Sequence, residues 1–256
     1  MLAGMSESTV RIGLVLPDIL GTYGDGGNAV VLAQRLRWRG IPAEVTSIDH
    51  RTPVPASLDV YLLGGGEDDP QELAAKHLLA DGGLHRAAAR GATVLGVCAG
   101  LQLLGTDFTA VGGCRHPGLE LLDLTSAPAE RRAVGEIVVE PPACARLETL
   151  TGFENHRGST RLGPGCRPLG TVTAGVGNGD GTDGAVAGRI AATYLHGPVL
   201  ARNPAFADLL LGWALGTPLE PLDLPEVTTL RTERLRAARA ATSRFAGWPW
   251  RRSGRR

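Results

Sequence analysis

Apolar positions in this chain first occur as short, unbroken runs, each followed by a turn-rich stretch and then by a longer segment in which apolar and polar residues recur at helical spacing. VRIGLVL (10–16) leads through PDILGTYGDGGN into AVVLAQRLRWRG, which reads as a strand, a loop and a helix capped near Asn28 and stopped at Gly40. The pattern repeats with AEVTSI (43–48), VYLL (60–63) running into GGGEDDP, a helix from about Pro70 to Ala89, and TVLGV (93–97). Strands without a polar face, alternating with helices, predict a parallel sheet covered on both sides.

Beyond residue 110 the periodicity weakens. Glycine and proline separate short strand candidates such as EIVVE (136–140), the stretch GVGNGDGTDG (175–184) reads as a loop, and mixed or antiparallel edge strands are expected. IAATYL (190–195) is a further strand, followed by helices over about Pro204–Leu215 and Glu226–Phe245. The fold class predicted is α/β and flavodoxin-like, a mostly parallel central sheet with helices on both faces. Its organisation is a disordered start (1–9), one domain over 10–225, and a C-terminal helix with a basic tail (226–256). In such sheets ligands bind beyond the carboxyl ends of the strands, where GGG (64–66), Cys98 and His196 fall.

With 256 residues and 43% hydrophobic content the chain is long enough to bury a sizeable core. It has no long apolar run and no signal-like start, so a cytoplasmic protein without a membrane span is expected. Residues 231–256 hold nine Arg and one Glu, a net +8 against −8 for the rest of a neutral chain. The plain reading is a solvated helix face and tail, with no nucleic-acid partner expected. The four cysteines are far apart and form no C-x-x-C pair, which argues against zinc and against a disulfide framework.

Cys98 therefore has to act through its own chemistry. In GVCAGLQLLG an apolar strand enters a glycine-flanked turn and then a helix, the design of a nucleophile elbow: small residues at 96 and 100 tolerate a strained backbone that raises the side chain above the sheet edge. The adjacent helix start favours the thiolate. Attack on an amide also needs a group that protonates the departing ammonia. His196 in TYLHGP, at a strand end and turned away by Gly197 and Pro198, is the candidate, acting as a neutral imidazole near its pKa.

The spacing of Gly96, Cys98, Gly100, Gln102 and Leu104 resembles the nucleophile motif of class I, or triad, glutamine amidotransferases. That family usually carries Glu two residues after its histidine. Here the position is Pro198, as in the cobyric-acid-synthase-like branch, which leaves the source of a third catalytic group open. LPDILGTYGDGGN, RRAVGEIVVE and GFENHRGST narrow the resemblance to the glutaminase subunits of lipid II isoglutaminyl synthase, over about residues 10–215.

This resemblance implies that Cys98 and His196 hydrolyse L-glutamine to glutamate and ammonia through a thioester. It further implies oxyanion donors at Ala99 and in the loop of Gly65 and Gly66, Gln102 in the substrate pocket, and Arg132 on the glutamine α-carboxylate, with Arg131 competing for the register. Glu154 and His156 either line the pocket or cap a turn. No Walker motif is present. No cofactor or metal is therefore expected in this chain, while ATP and Mg belong to a Mur-ligase-like synthetase partner that forms a heterodimer with it and amidates the D-glutamate of lipid II in peptidoglycan synthesis. The alternatives are a glutaminase for another acceptor such as a corrin, a cysteine hydrolase on a flavodoxin-like scaffold, and an inactive binding module.

Overall fold

The computed structural model describes residues 9–245. Most of the disordered start expected over 1–9, and the end of the basic tail, lie outside the described residues. The first sheet contains β1 (Val10–Val15), β2 (Ala43–Ile48), β3 (Val60–Leu63), β4 (Thr93–Val97), and, much later in the chain, β11 (Ala185–Ala187) and β12 (Ile190–Thr193). Its order is β11-β12-β4-β3-β1-β2, all neighbours parallel except the β11–β12 edge pair. Every residue of β3 and β4 is buried, which is why their sequences are apolar on both faces.

Helices α1 (Gly27–Trp38), α2 (Asp68–Asp81), α3 (Gly83–Ala89), α4 (Ala99–Leu104), α5 (Val199–Arg202) and α6 (Pro204–Leu215) accompany this sheet. The single helix expected over 70–89 is two, because Gly82 adopts a left-handed conformation (φ 64°) that ends α2 and starts α3. Asn28 does not cap α1 as expected. Its side-chain oxygen instead accepts the N–H of Leu200 at 3.0 Å. On the outer side, α1 and α6 are joined by a buried ionic cluster: Arg35 donates Nε and Nη2 to the two oxygens of Asp208 at 2.7 and 2.6 Å, and Arg39 approaches the same carboxylate at 2.9 Å.

The weakly patterned middle of the chain forms a second sheet as well as an antiparallel edge on the first. It comprises β5 (Asp107–Thr109), β6 (Arg115–Pro117), β7 (Leu124–Glu140), β8 (Leu150–Leu162), β9 (Gly170–Ala174) and β10 (Thr182–Asp183). EIVVE is only the last part of β7, which pairs antiparallel with β8 along a hairpin interrupted by a register shift between Pro128 and Ala133. One apolar core runs through both sheets, from Ile12 and Leu63 to Ile137, Leu150 and Leu195. A last helix, α7 (Pro225–Phe245), packs on the second sheet through Ala238, which meets Val138 and Ala174, and Arg231, which donates to Glu148 Oε2 at 2.7 Å. Among the described residues no helix is long and apolar enough to cross a membrane.

Asp208→Ala is expected to destabilise the fold by about 3–5 kcal/mol, since it strands the guanidinium of Arg35 in the interior. Urea denaturation compared with the unmodified chain checks this, and a loss below about 1 kcal/mol would mean that the cluster behaves as an exposed ion pair.

Candidate active site

The parallel register sets Val15, Leu63, Val97 and Thr193 at the ends of four neighbouring strands: Val15 pairs with Leu63, Leu63 with Gly96, and Val97 with Thr193. The loops leaving them carry Asp25, Gly64–Gly66, Cys98 and His196. Cys98 stands between β4 and α4 with φ 55° and ψ −104°, a strained conformation for a residue with a side chain, and is 6% exposed. Its N–H donates to Thr193 O at 2.9 Å, and the N–H of Gly100 donates to Gly64 O at 3.2 Å, so backbone bonds on both sides hold the turn. Only glycine fits at 100, where a Cβ would lie 2.6 Å from Leu63 O. The elbow expected from the sequence is thus present, together with its strain.

His196 is 2% exposed and bonds through its backbone to Phe153 of β8, N–H to O at 2.8 Å and O to N–H at 3.1 Å. The ring lies between the carboxylate of Asp25 and the sulfur of Cys98. Nδ1 meets the carboxylate of Asp25 at 3.0 and 3.2 Å, while Nε2 is buried with no hydrogen bond of ordinary geometry and the Cys98 sulfur is its polar neighbour. Burial acts to lower the pKa of His196, but hydrogen bonding to Asp25 and Cys98 and attraction to both outweigh it and push the value up to about 9. The shift favours the protonated ring, where the sequence suggests a neutral imidazole near its pKa.

A cavity of about 400 Å³ opens beside Cys98, and its wall includes Gly66, Gln102, Arg132 and His156. Such a volume suits a small metabolite. Arg132 donates Nε to Asn155 Oδ1 at 2.7 Å and Nη2 to Tyr23 Oη at 3.0 Å. Tyr23 in turn donates to Glu67 at 2.6 Å and lies against His196 with ring centres 4.8 Å apart. Burial, then the bond to Glu67, push the Tyr23 hydroxyl up to about 12, so it stays protonated and can serve Arg132 and Glu67 at once. Arg131 is not part of this wall.

Three residues stand differently from the sequence reading. The N–H of Gly65 is already bound, donating to Asp25 Oδ2 at 2.9 Å, so in this conformation it is not a free oxyanion donor, and the cavity wall contains Gly66 instead. Gln102 does border the cavity, but both ends of its side-chain amide already have protein partners: Oε1 accepts from Gln71 at 2.9 Å and Nε2 donates to Tyr194 Oη at 3.1 Å. Tyr194 continues this buried chain to Thr160 at 2.8 Å, and Thr160 to Ser126 at 2.9 Å, which ties α4 to the second sheet. Glu154 turns inward to accept the N–H groups of Val176 and Gly177, so it caps a turn, while His156 stacks on Tyr194 and borders the cavity. Ala99, first in α4, has no intrahelical acceptor for its N–H.

Asp25 is the residue that sequence reasoning missed. Its one signal is its place in the loop after β1, at the carboxyl edge; the distance of 171 residues to His196 hid the contact. Among the described residues no group of three or more His, Cys, Asp or Glu is arranged to hold a metal ion.

Residues 11–204 match the model of the CobB/CobQ-like glutamine amidotransferase domain. The chain is 34% identical over 232 residues to the lipid II isoglutaminyl synthase (glutamine-hydrolyzing) subunit GatD of Staphylococcus aureus strain N315, covering 88% of this chain and 93% of that one. It is 31% identical over 204 residues to the subunit of the same name from Streptococcus pneumoniae R6, with 77% of each covered. A solved glutamine amidotransferase superposes with a TM-score of 0.56 over 79% of this chain and 98% of its own at 20% identity, a likeness of fold.

Removing the hydroxyl at the centre of the buried chain, as in Tyr194→Phe, is expected to cost about 1–3 kcal/mol, because Gln102 loses a buried acceptor and Thr160 a buried partner. Thermal or urea unfolding reads this; an unchanged midpoint would show that water replaces the hydroxyl.

Proposed function

The chain belongs to the CobB/CobQ-like glutamine amidotransferase family, and on that premise we propose that it is the glutamine-hydrolysing subunit of a lipid II isoglutaminyl synthase. The observation that carries the chemistry is the strained Cys98 beside the imidazole of His196 at the edge of a cavity of about 400 Å³. In the mechanism proposed, glutamine enters with its α-carboxylate toward Arg132, whose planar guanidinium suits a carboxylate, and with its side-chain amide toward Cys98. The sulfur attacks the amide carbon, forming a C–S bond and a tetrahedral oxyanion that the N–H groups of Ala99 and Gly66 stabilise. His196 Nε2 gives its proton to the amide nitrogen, the C–N bond breaks, and ammonia leaves a thioester on Cys98. Water, deprotonated by the now neutral His196, then releases glutamate and restores the thiolate–imidazolium pair.

These steps use only side chains and backbone of this chain. Activating an acceptor carboxylate is a separate task, assigned here to a Mur-ligase-like partner that binds ATP and Mg, with the D-glutamate of lipid II as acceptor. Two features support docking of such a partner around the cavity mouth. The half-exposed Phe153 and the exposed Val134 share the outer face of the β7–β8 pair with Asn155, and Phe153 is bonded through its backbone to His196. A cover over this face would keep ammonia from bulk water. The relatives of this length, named as subunits, favour that acceptor over a corrin.

Incubation of the chain with glutamine, alone and with the partner, is expected to yield glutamate and ammonia in equal amounts. Cys98→Ala should lower turnover by roughly 10⁴-fold or more, and full activity in that variant would end the mechanism. For Arg132→Ala the KM for glutamine is expected to rise roughly 10- to 100-fold with kcat changed less, the loss of one charge-assisted contact; an unaltered KM would remove Arg132 from the substrate site.

A further inference from the structure

The glycine-rich stretch GVGNGDGTDG (175–184) takes no part in the chemistry above, yet it is folded around buried polar groups. Glu154 accepts the N–H groups of Val176 and Gly177 at its start. Asn178, fully buried, accepts the N–H of Gly184 at 3.1 Å and donates Nδ2 to Gly184 O at 3.0 Å and to Thr182 Oγ1 at 3.1 Å. Gly184 (φ 67°) lies so close to β12 that a Cβ there would stand 2.2 Å from Ala192 O. The side chain that this closure carries from the second sheet to the first is Asp183, which is 0% exposed.

Asp183 meets β12 at the point where that strand ends. Thr193 Oγ1 donates to its Oδ2 at 2.5 Å, and the N–H of Tyr194 donates to its Oδ1 at 3.2 Å. Thr193 is the last residue of β12; Tyr194 and Leu195 belong to no strand, and His196 is bridged to Phe153. On one side of this bend Thr193 O accepts the N–H of Cys98 at 2.9 Å, and on the other stands His196. We propose that Asp183 is a positioning residue for the hydrolysis: by accepting from Thr193 and Tyr194 it fixes the bend that sets the sulfur of Cys98 and the ring of His196 at their working separation. The inference rests on the reading of those two residues as the glutamine-hydrolysing pair.

A carboxylate suits this place because the bend offers it two donors. Thr193 Oγ1 already accepts the N–H of Leu195 at 3.1 Å, which directs its own proton toward Asp183. Burial pushes the Asp183 carboxyl up to about 6; the bonds from Thr193 and Tyr194 and the nearby His156 act to lower it, and Glu154 adds to the rise. Above that pH both oxygens accept. Below it a proton occupies one of them, and the bend loses an acceptor.

Asp183→Asn keeps the shape but replaces one acceptor oxygen with an NH₂ group, so Thr193 or Tyr194 loses its match. In the full chain with its partner, kcat for glutamine is expected to fall roughly 10- to 100-fold with KM little changed. The decline in kcat below about pH 6 in the unmodified chain should be absent from this variant. Thr193→Val removes a donor from the carboxylate and should move that decline up by about one pH unit. Thr193→Ser, which restores the hydroxyl, should return it toward 6. A side chain that only fills space would produce neither movement. Alkylation of Cys98 by iodoacetamide, followed on its own peptide because Cys114 and Cys144 are exposed, reads the site without glutamine and should slow in Asp183→Asn. Unmodified kcat in Asp183→Asn would overturn the proposal. So would a decline that stays in place in Thr193→Val, a measurement that stands even if Asp183→Asn does not fold. Absence of glutamine hydrolysis by the unmodified chain with its partner, with alkylation slowed in Asp183→Asn, would refute the glutaminase reading and leave Asp183 as the group that places Cys98; an unchanged alkylation rate would remove that placement itself.

Discussion

Parallel pairing in level register is the constraint on which the rest of this molecule depends. Val15, Leu63, Val97 and Thr193 end their strands side by side, so four loops separated by up to about 170 residues in sequence leave the sheet along one edge. Hydrogen bonding in the parallel ladders, with burial of β3 and β4 on both faces, fixes that alignment. A slip of one residue would turn the elbow at Cys98 to the other face of the sheet and separate it from His196.

Onto this edge the second sheet adds the walls. The β7–β8 hairpin carries Arg132, Asn155 and His156 to the cavity and clamps His196 through the backbone of Phe153. Its attachment to the first sheet is partly apolar, through the shared core, and partly a chain of buried hydrogen bonds from Gln71 through Gln102, Tyr194 and Thr160 to Ser126. Each such group is costly to bury alone and satisfied only in the assembled arrangement, so the chain favours one relative placement of the two sheets. Gln102 thus holds its place in the nucleophile motif for a reason local to this fold: it locks α4, and with it the turn of Cys98, against β8 and β12.

The electrostatics follow the same economy of parts. The imidazole of His196 lies between the Asp25 carboxylate and the Cys98 sulfur, with the ring of Tyr23 beside it, and these neighbours outweigh the burial that lowers its pKa. Strain at Cys98 is held by backbone bonds to Thr193 and Gly64, elements that the sheet already positions.

Much of this was decided by local sequence. Unbroken apolar runs gave β1, β3, β4 and the approach to His196, and the glycines around Cys98 marked an elbow, because strand burial and turn sterics act over a few residues and leave a local pattern. What local pattern could not decide was partnership. A single helix was expected over 70–89 because its spacing is uniform up to Gly82, and only the left-handed backbone there divides it. The second sheet was read as scattered edge strands, since a half-exposed hairpin has little apolar signal of its own and gains its order from pairing. The carboxylate beside His196 was beyond reach for the same reason: Asp25 in a glycine-rich loop looks like any turn aspartate until the parallel register and the packing of Pro198 bring it to Nδ1. Sequence set the elements and the nucleophile; tertiary structure chose which distant loops share an edge, since hydrogen bonds act across ångströms of space however far apart the residues lie along the chain.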